Sequence, residues 1–428
     1  MCLPTCAQEI PRVNHKRDIK VSGAQERVSG LELFVRRLKC LGIIVIEKYA
    51  MNKLEIHGRS VQIFAWILGL SDIEYPIGRQ RPVISFLYLM FLMGILTYNL
   101  KSVIGHIEIN ISGSTLSEEL IRLLFIVGTG ISYYILGSVW LFKKDESECL
   151  RQLNEVTECI ASISSDTDFK DIKRNKMIQI ISWITCVYYM AHFFIKYISD
   201  SESLSSFSNI FCINYESFLI LYINLMFVNY IRIIQLNFAK MNKRLKELTA
   251  FTDCSSSISV YEIIKDISRI KQLHIRLTRV SRSFNDFYGI YTLLSITLRF
   301  GTMTFHLYNI YCTLYNVQSD STTHVYTVIQ HCLLMSVDLY VVFTVIDACR
   351  LTAMEANKTG YRIFELTNNG SSMEIDNEIE RFSVQLLQNP LEFTAHGFFV
   401  LNRGIIFNII LMLISYLIVL VQLSTCEV

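Results

Sequence analysis

Ser415, Val419 and Gln422 stand four and three positions apart near the C-terminus, so one face of a helix would carry a hydroxyl, an aliphatic group and an amide. An amide meets water or ions without imposing a fixed charge, and an aliphatic ring beneath it blocks conduction by dewetting when narrow. The alternative use of Tyr416 and Gln422 is hydrogen bonding to neighbouring helices. A second set is charged. Arg299 and Asp338 interrupt apolar stretches at similar depth, where an isolated charge costs about 2.5–3.5 kcal/mol. They either pair with each other or face a water-filled pocket. A third set comprises Tyr188, Tyr189, His192, Tyr215, Glu216, Tyr222, His306, Gln330 and His331, all expected in the outward halves of their helices. Aromatic faces with a few placed polar groups suit a small-molecule cleft between helices. Taken singly, each also fits an interfacial aromatic belt. There is no phosphate-cradling glycine loop, His-Glu-x-x-His or Cys-x-x-Cys, and the 12 cysteines are scattered. Neither catalysis, a metal nor a cofactor is expected.

The elements that must position these groups are helices in a membrane. Of 428 residues, 51% are hydrophobic and only 18% charged, too apolar for an ordinary soluble domain. Seven stretches reach the roughly 20 residues a span requires, near 82–104, 119–142, 176–197, 209–232, 286–312, 325–349 and 398–423. Val61–Leu70 is shorter and reads as cytoplasmic or interfacial. The polar N-terminus predicts no cleaved signal peptide. The expected fold is an all-α membrane protein with seven transmembrane helices.

Charge predicts its orientation. Of the 40 Lys and Arg residues, 35 fall before the first span or in alternate connections. The remaining connections, near 105–118, 198–208 and 317–324, hold none. The positive-inside rule then puts the N-terminus in the cytoplasm and the C-terminus outside. Asn110 opens a glycosylation sequon in the first outer loop, whereas those at Asn357 and Asn369 fall inside and should stay unmodified.

The organisation predicted along the chain is one membrane domain. Residues 1–81 form a cytoplasmic N-terminal segment, and 82–349 a six-helix bundle with cytoplasmic extensions near 233–285. Residues 350–397 form a cytoplasmic segment ending in a short helix, and 398–428 the seventh span with a short outer tail. Ile263, Ile267, Ile270, Leu273, Leu277, Val280 and Phe284 recur at helix spacing, with lysines and arginines on the other faces. Such a stripe needs a partner, either its own hairpin or another subunit. Ile375, Ile379, Phe382 and Leu386 make a similar, shorter face.

The ending Ser415-Tyr-Leu-Ile-Val-Leu-Val-Gln-Leu423, preceded by Gly397-Phe-Phe-Val-Leu-Asn402, resembles the C-terminal signature of insect gustatory receptors. That signature is a Thr-Tyr pair, five hydrophobic residues and Gln-Phe, after a Gly-x-Phe-x-Leu-Asn-like segment. Ser415 and Leu423 depart from it conservatively. The resemblance implies a ligand-gated, non-selective cation channel of four subunits, copies of itself or of related receptors, in the plasma membrane of gustatory neurons. The last helix would line the pore through Ser415, Tyr416, Val419 and Gln422, with Val419 as hydrophobic gate and Gln422 as the polar ring beside it. A small-molecule tastant would bind in the outer half of the bundle, on Tyr188, His192, Glu216, Tyr222, Arg299, His306, Gln330 or Asp338. The cytoplasmic extensions would form an anchor layer where subunits meet. Sugar-sensing members commonly carry Glu directly after the motif Tyr. Leu417 in that place leans toward bitter or plant secondary compounds, with the fructose-sensing branch left open. Permeating cations and bilayer lipid are the other implied partners, and nucleic acid is not.

An insect odorant receptor or co-receptor shares this architecture and is the nearest alternative. A G-protein-coupled receptor would need the opposite charge bias, an Asp-Arg-Tyr where Tyr197-Ile-Ser-Asp200 stands, and an Asn-Pro-x-x-Tyr. A transporter would need inverted repeats with broken helices.

Overall fold

A computed structural model describes residues 65–70, 82–109, 116–163, 204–253, 260–315, 321–367 and 373–425. The helices in order are α1 (Pro82–Ile109), α2 (Leu116–Leu141), α3 (Lys143–Ala161), α4 (Leu204–Asp253), α5 (Val260–Tyr315), α6 (Ser321–Thr367), α7 (Met373–Gln388) and α8 (Arg403–Thr425). Five of the described helices are long and apolar enough to cross a membrane: α1, α2, α4, α6 and α8. The expected span at 176–197, the residues before 65 and Asn110 lie outside the described residues.

The expected span at 286–312 is the C-terminal part of α5, and it falls short of that apolarity. The reason is its position. α5 touches α2, α3, α4, α6, α7 and α8. A helix walled by its neighbours can carry buried polar groups that a lipid-facing helix cannot. Thr292, Ser295, Arg299 and Thr304 are all buried along it.

Below that region, α4 and α5 continue as long amphipathic extensions. All seven apolar residues of the stripe from Ile263 to Phe284 are buried, as are Phe238, Met241 and Leu245 on α4. The two short helices follow the same logic. α3 buries Leu153, Val156 and Ile160, and α7 buries Ile375, Ile379 and Phe382. Both begin with acidic residues, Asp145 and Glu146 in one and Glu374 and Asp376 in the other, which suits the positive end of the helix dipole. α2 and α3 are almost continuous. The break falls at Phe142, whose carbonyl accepts the Asp145 and Glu146 amides at 3.0 and 3.1 Å.

This basic end of the bundle is held by polar contacts. Lys271 on α5 meets Glu378 on α7 at 2.9 Å, and Arg244 on α4 meets Asp266 on α5 at 2.8 Å. Deeper, Asn242 donates to Glu355 and accepts from Thr359 at 2.7 Å. His274 packs between Phe238 and Phe382, with Nε2 3.3 Å from the Ala356 carbonyl. Burial pushes the His274 imidazole down from 6.5 to about 4, against the opposing pull of that carbonyl. The unfolded chain therefore binds the proton first as pH falls. Stability should drop between about pH 6.5 and 4 by on the order of 3 kcal/mol and hold constant above that window. Melting temperature of the purified protein across this range checks the expectation, and His274→Gln should flatten the dependence.

Candidate functional site

Five of the residues singled out in the sequence lie on one seam. Arg299 on α5 pairs with Asp338 on α6, and both are almost fully buried, at 5% and 4% exposure. The Thr302 hydroxyl donates to the other Asp338 oxygen at 2.6 Å. The helices run antiparallel, and seven residues further along α5 the same register brings His306 to His331. Their Nδ1 atoms are 3.0 Å apart, and the Phe305 ring meets His331 edge-on. Gln330 is the next residue on α6 and is half-buried. Sequence leaves open whether Arg299 and Asp338 pair or line a pocket; in the structure they pair.

Glu216 on α4 is a separate buried group. It accepts a hydrogen bond from the Thr129 hydroxyl of α2. A Cβ on Gly128 would sit 2.6 Å from its Oε2, so glycine there lets the carboxyl reach the α2 backbone. Tyr215 and Tyr222 turn elsewhere. The Tyr215 hydroxyl donates to the Leu68 carbonyl at 2.9 Å, and Tyr222 bonds the backbone of Ala65. Tyr88 reaches the Ile67 carbonyl at 2.7 Å and the Trp140 indole the Gly69 carbonyl at 3.4 Å. Residues 65–70 are thus docked by four aromatic side chains from α1, α2 and α4. Gly69, at φ 75°, makes the closing turn, and a Cβ there would lie 2.8 Å from Leu92. The structure therefore divides the aromatic set among different neighbours. Tyr188 and His192 lie outside the described residues.

α8 is the least buried of the five apolar helices. Ile409, Leu413 and Leu420 turn toward the rest of the chain, and the Tyr416 ring meets Phe300 of α5 edge-on at 5.5 Å. Ser415, Val419 and Gln422 share the exposed side. The Ser415 hydroxyl is returned to the Leu411 carbonyl at 3.0 Å. Asn402 caps the helix, its Oδ1 accepting the Gly404 amide at 2.9 Å.

Sequence reasoning missed the elbow that aims α8. Between α7 and α8 the chain folds back on itself through the Thr394–Val400 bridge, with Leu391, Phe393, Ala395 and Leu401 buried. Asn285 of α5 holds it with two bonds: its Oδ1 accepts the Thr394 amide at 2.9 Å, and its Nδ2 donates to the Thr394 hydroxyl at 3.4 Å. Asn357 of α6 does the same for Leu391, accepting its amide at 3.2 Å and donating to its carbonyl at 3.3 Å. His396 and Gly397 make the reversal at φ 50° and 80°. One turn above Asn285, Gly289 leaves room for it: a Cβ there would lie 2.9 Å from the His396 nitrogen. Asn389-Pro390 marks the end of α7 in sequence. Nothing in sequence marks Asn285 and Gly289 as the receiving surface.

The match of this chain to known proteins covers the same elements. Residues 59–425 fit the family model described as 7tm Chemosensory receptor. Two Drosophila melanogaster proteins are similar over part of the chain. Gustatory receptor 28b is 27% identical over 180 residues, 40% of this chain and 38% of its own length. Gustatory receptor 68a is 24% identical over 203 residues, 46% and 50% respectively. These alignments thus span half or less of each relative. Among solved structures, the olfactory receptor OR5 of Machilis hrabei superposes with a TM-score of 0.61 at 12% identity, over 86% of this chain and 98% of that one. The same receptor in complex with eugenol superposes at 0.54 and 11% identity, over 85% and 97%.

Proposed function

Because the chain belongs to the 7tm chemosensory receptor family, we propose that it is a gustatory receptor acting as a tastant-gated, non-selective cation channel. Four subunits surround a central pore lined by α8, with the N-terminus cytoplasmic, the C-terminus outside and residues 176–197 as the third of seven spans. Asn110 is the outer glycosylation site. The observation that carries this reading is the exposed face of α8. A hydroxyl, an aliphatic group and an amide follow one another along an exposed side. In a ring of four, Val419 forms the constriction that dewets and Gln422 the polar ring above it. The seam of α5 and α6 and the region around Glu216 supply the polar groups of a ligand-binding bundle. The structure of OR5 in complex with eugenol superposes on this chain, which supports a small molecule as the ligand here. Leu417 after the motif tyrosine leans toward bitter or plant secondary compounds. An odorant-receptor channel subunit is the second reading, favoured by the OR5 superposition.

The test is whole-cell recording from cells expressing this chain, perfused with sugars and plant bitter compounds. The expected result is a fast cation current independent of G proteins. Val419→Ala should raise the current without ligand, and Gln422→Ala should change relative cation permeabilities. Currents that pass unchanged through both variants would remove α8 from the pore.

A further inference from the structure

We propose that His306 and His331 form a two-imidazole site for a divalent transition-metal ion, Cu²⁺ or Zn²⁺, bridging α5 and α6. The two Nδ1 atoms are 3.0 Å apart on separate helices, with ring centroids 5.2 Å apart. Two N–H groups would repel at that distance, so at least one Nδ1 presents its lone pair to the other. With metal–nitrogen bonds of about 2.0–2.1 Å, a 3.0 Å separation corresponds to an N–metal–N angle of about 95°. That is the cis angle of a tetragonal site, which suits Cu²⁺. Tetrahedral Zn²⁺ needs the rings only a few tenths of an ångström further apart. Coordination uses both Nδ1 lone pairs. The proton shared between the rings moves to the Nε2 of its own imidazole, so no bond to carbon changes and no redox partner is needed.

The surroundings favour a preformed pair. Two helical turns away, the buried Arg299–Asp338 contact holds α5 and α6 in one register. Phe305 packs against both imidazoles and limits their rotation. Both histidines are half-buried, which leaves a path for an ion. Among the described residues no group of three or more His, Cys, Asp or Glu assembles into a metal cluster, so among them the site has two protein ligands. An ion held by two protein ligands is exchangeable, which makes it a modulator of the seam and not a structural metal. Its effect would be to tie α5 to α6 in the segment where α5 also carries Phe300 against Tyr416 of α8.

The test uses the purified full-length receptor, stripped with chelator, so it does not depend on channel activity. Cu²⁺ is titrated and followed by electron paramagnetic resonance and by thermal unfolding. The expected result is a spectrum with nitrogen hyperfine structure from two imidazoles and a rise in melting temperature. His306→Gln and His331→Gln should each weaken binding by at least about tenfold, while His324→Gln leaves it unchanged. If a glutamine variant does not fold, His306→Cys combined with His331→Cys provides the second measurement, since paired thiolates in the same geometry should bind Zn²⁺ more tightly. Unchanged Cu²⁺ affinity in His306→Gln and His331→Gln overturns the proposal, as does a cysteine pair that binds no Zn²⁺.

Discussion

Asp338→Ala is expected to destabilise the protein by about 3–5 kcal/mol, because it leaves the Arg299 guanidinium buried without its counter-charge. The pair lies on two helices at 5% and 4% exposure, far from water that could screen a lone cation. The Thr302 hydroxyl would lose this carboxylate and keep the Arg299 carbonyl, 3.0 Å away, as its acceptor. Arg299→Met should cost less than Asp338→Ala, since the Thr302 hydroxyl still satisfies one oxygen of the remaining carboxyl. The informative variant is the double replacement, Arg299→Met with Asp338→Leu. Apolar side chains of similar volume remove both charges at once, and such exchanges are often neutral or stabilising. Melting temperature and surface expression should therefore fall sharply in Asp338→Ala and recover largely in the double variant. A different pattern would assign the pair to ligand recognition: normal stability in each single variant, with only the ligand concentration for half-maximal response displaced.

Local periodicity made the helices legible, and tertiary neighbours hid most of the site. The stripe from Ile263 to Phe284 and the face of Ile375, Ile379, Phe382 and Leu386 repeat at three and four residues, and all of those positions are buried except Leu386, which is half-buried. The exposed side of α8 follows from the same arithmetic, since Ser415, Val419 and Gln422 fall opposite Ile409, Leu413 and Leu420. Periodicity says nothing about which helix a group will meet. Glu216 finds Thr129 across 87 positions of sequence, and its other oxygen occupies the space left by the missing side chain of Gly128. Tyr215 and Tyr222 read as members of an outward aromatic set, yet they dock residues 65–70. Charge content misleads for a similar reason. The C-terminal half of α5 looks weakly apolar because its neighbours, and not lipid, receive its polar groups.

Gly289 is where the helical core and the approach to α8 meet, and Gly289→Leu is expected to loosen the start of α8 without unfolding the bundle. The glycine lies in the interior of α5, where alanine would ordinarily be preferred by about 1 kcal/mol. Here that preference is reversed. A Cβ would meet the His396 nitrogen at 2.9 Å, its Cα at 3.3 Å and the Thr394 carbonyl at 3.5 Å. These are backbone atoms of a tight reversal, so they cannot swing aside as a flexible side chain would. Overpacking of this kind costs about 1–3 kcal/mol, and leucine should displace Thr394 from Asn285 altogether. Hydrogen exchange on the purified protein should then show faster exchange at Thr394, Ala395 and Leu401, with α4 and the inner half of α5 still protected. Gly289→Ala should give the same pattern in weaker form. Asn285→Ala should reproduce it from the other side, by leaving the Thr394 amide without its acceptor, at about 1–3 kcal/mol. Agreement among the three would locate the mechanical link between the α4–α6 core and α8 at one turn of α5. Uniform protection across residues 391–402 in all three would mean that α8 is held by its packing on Phe300 and Ile409 instead.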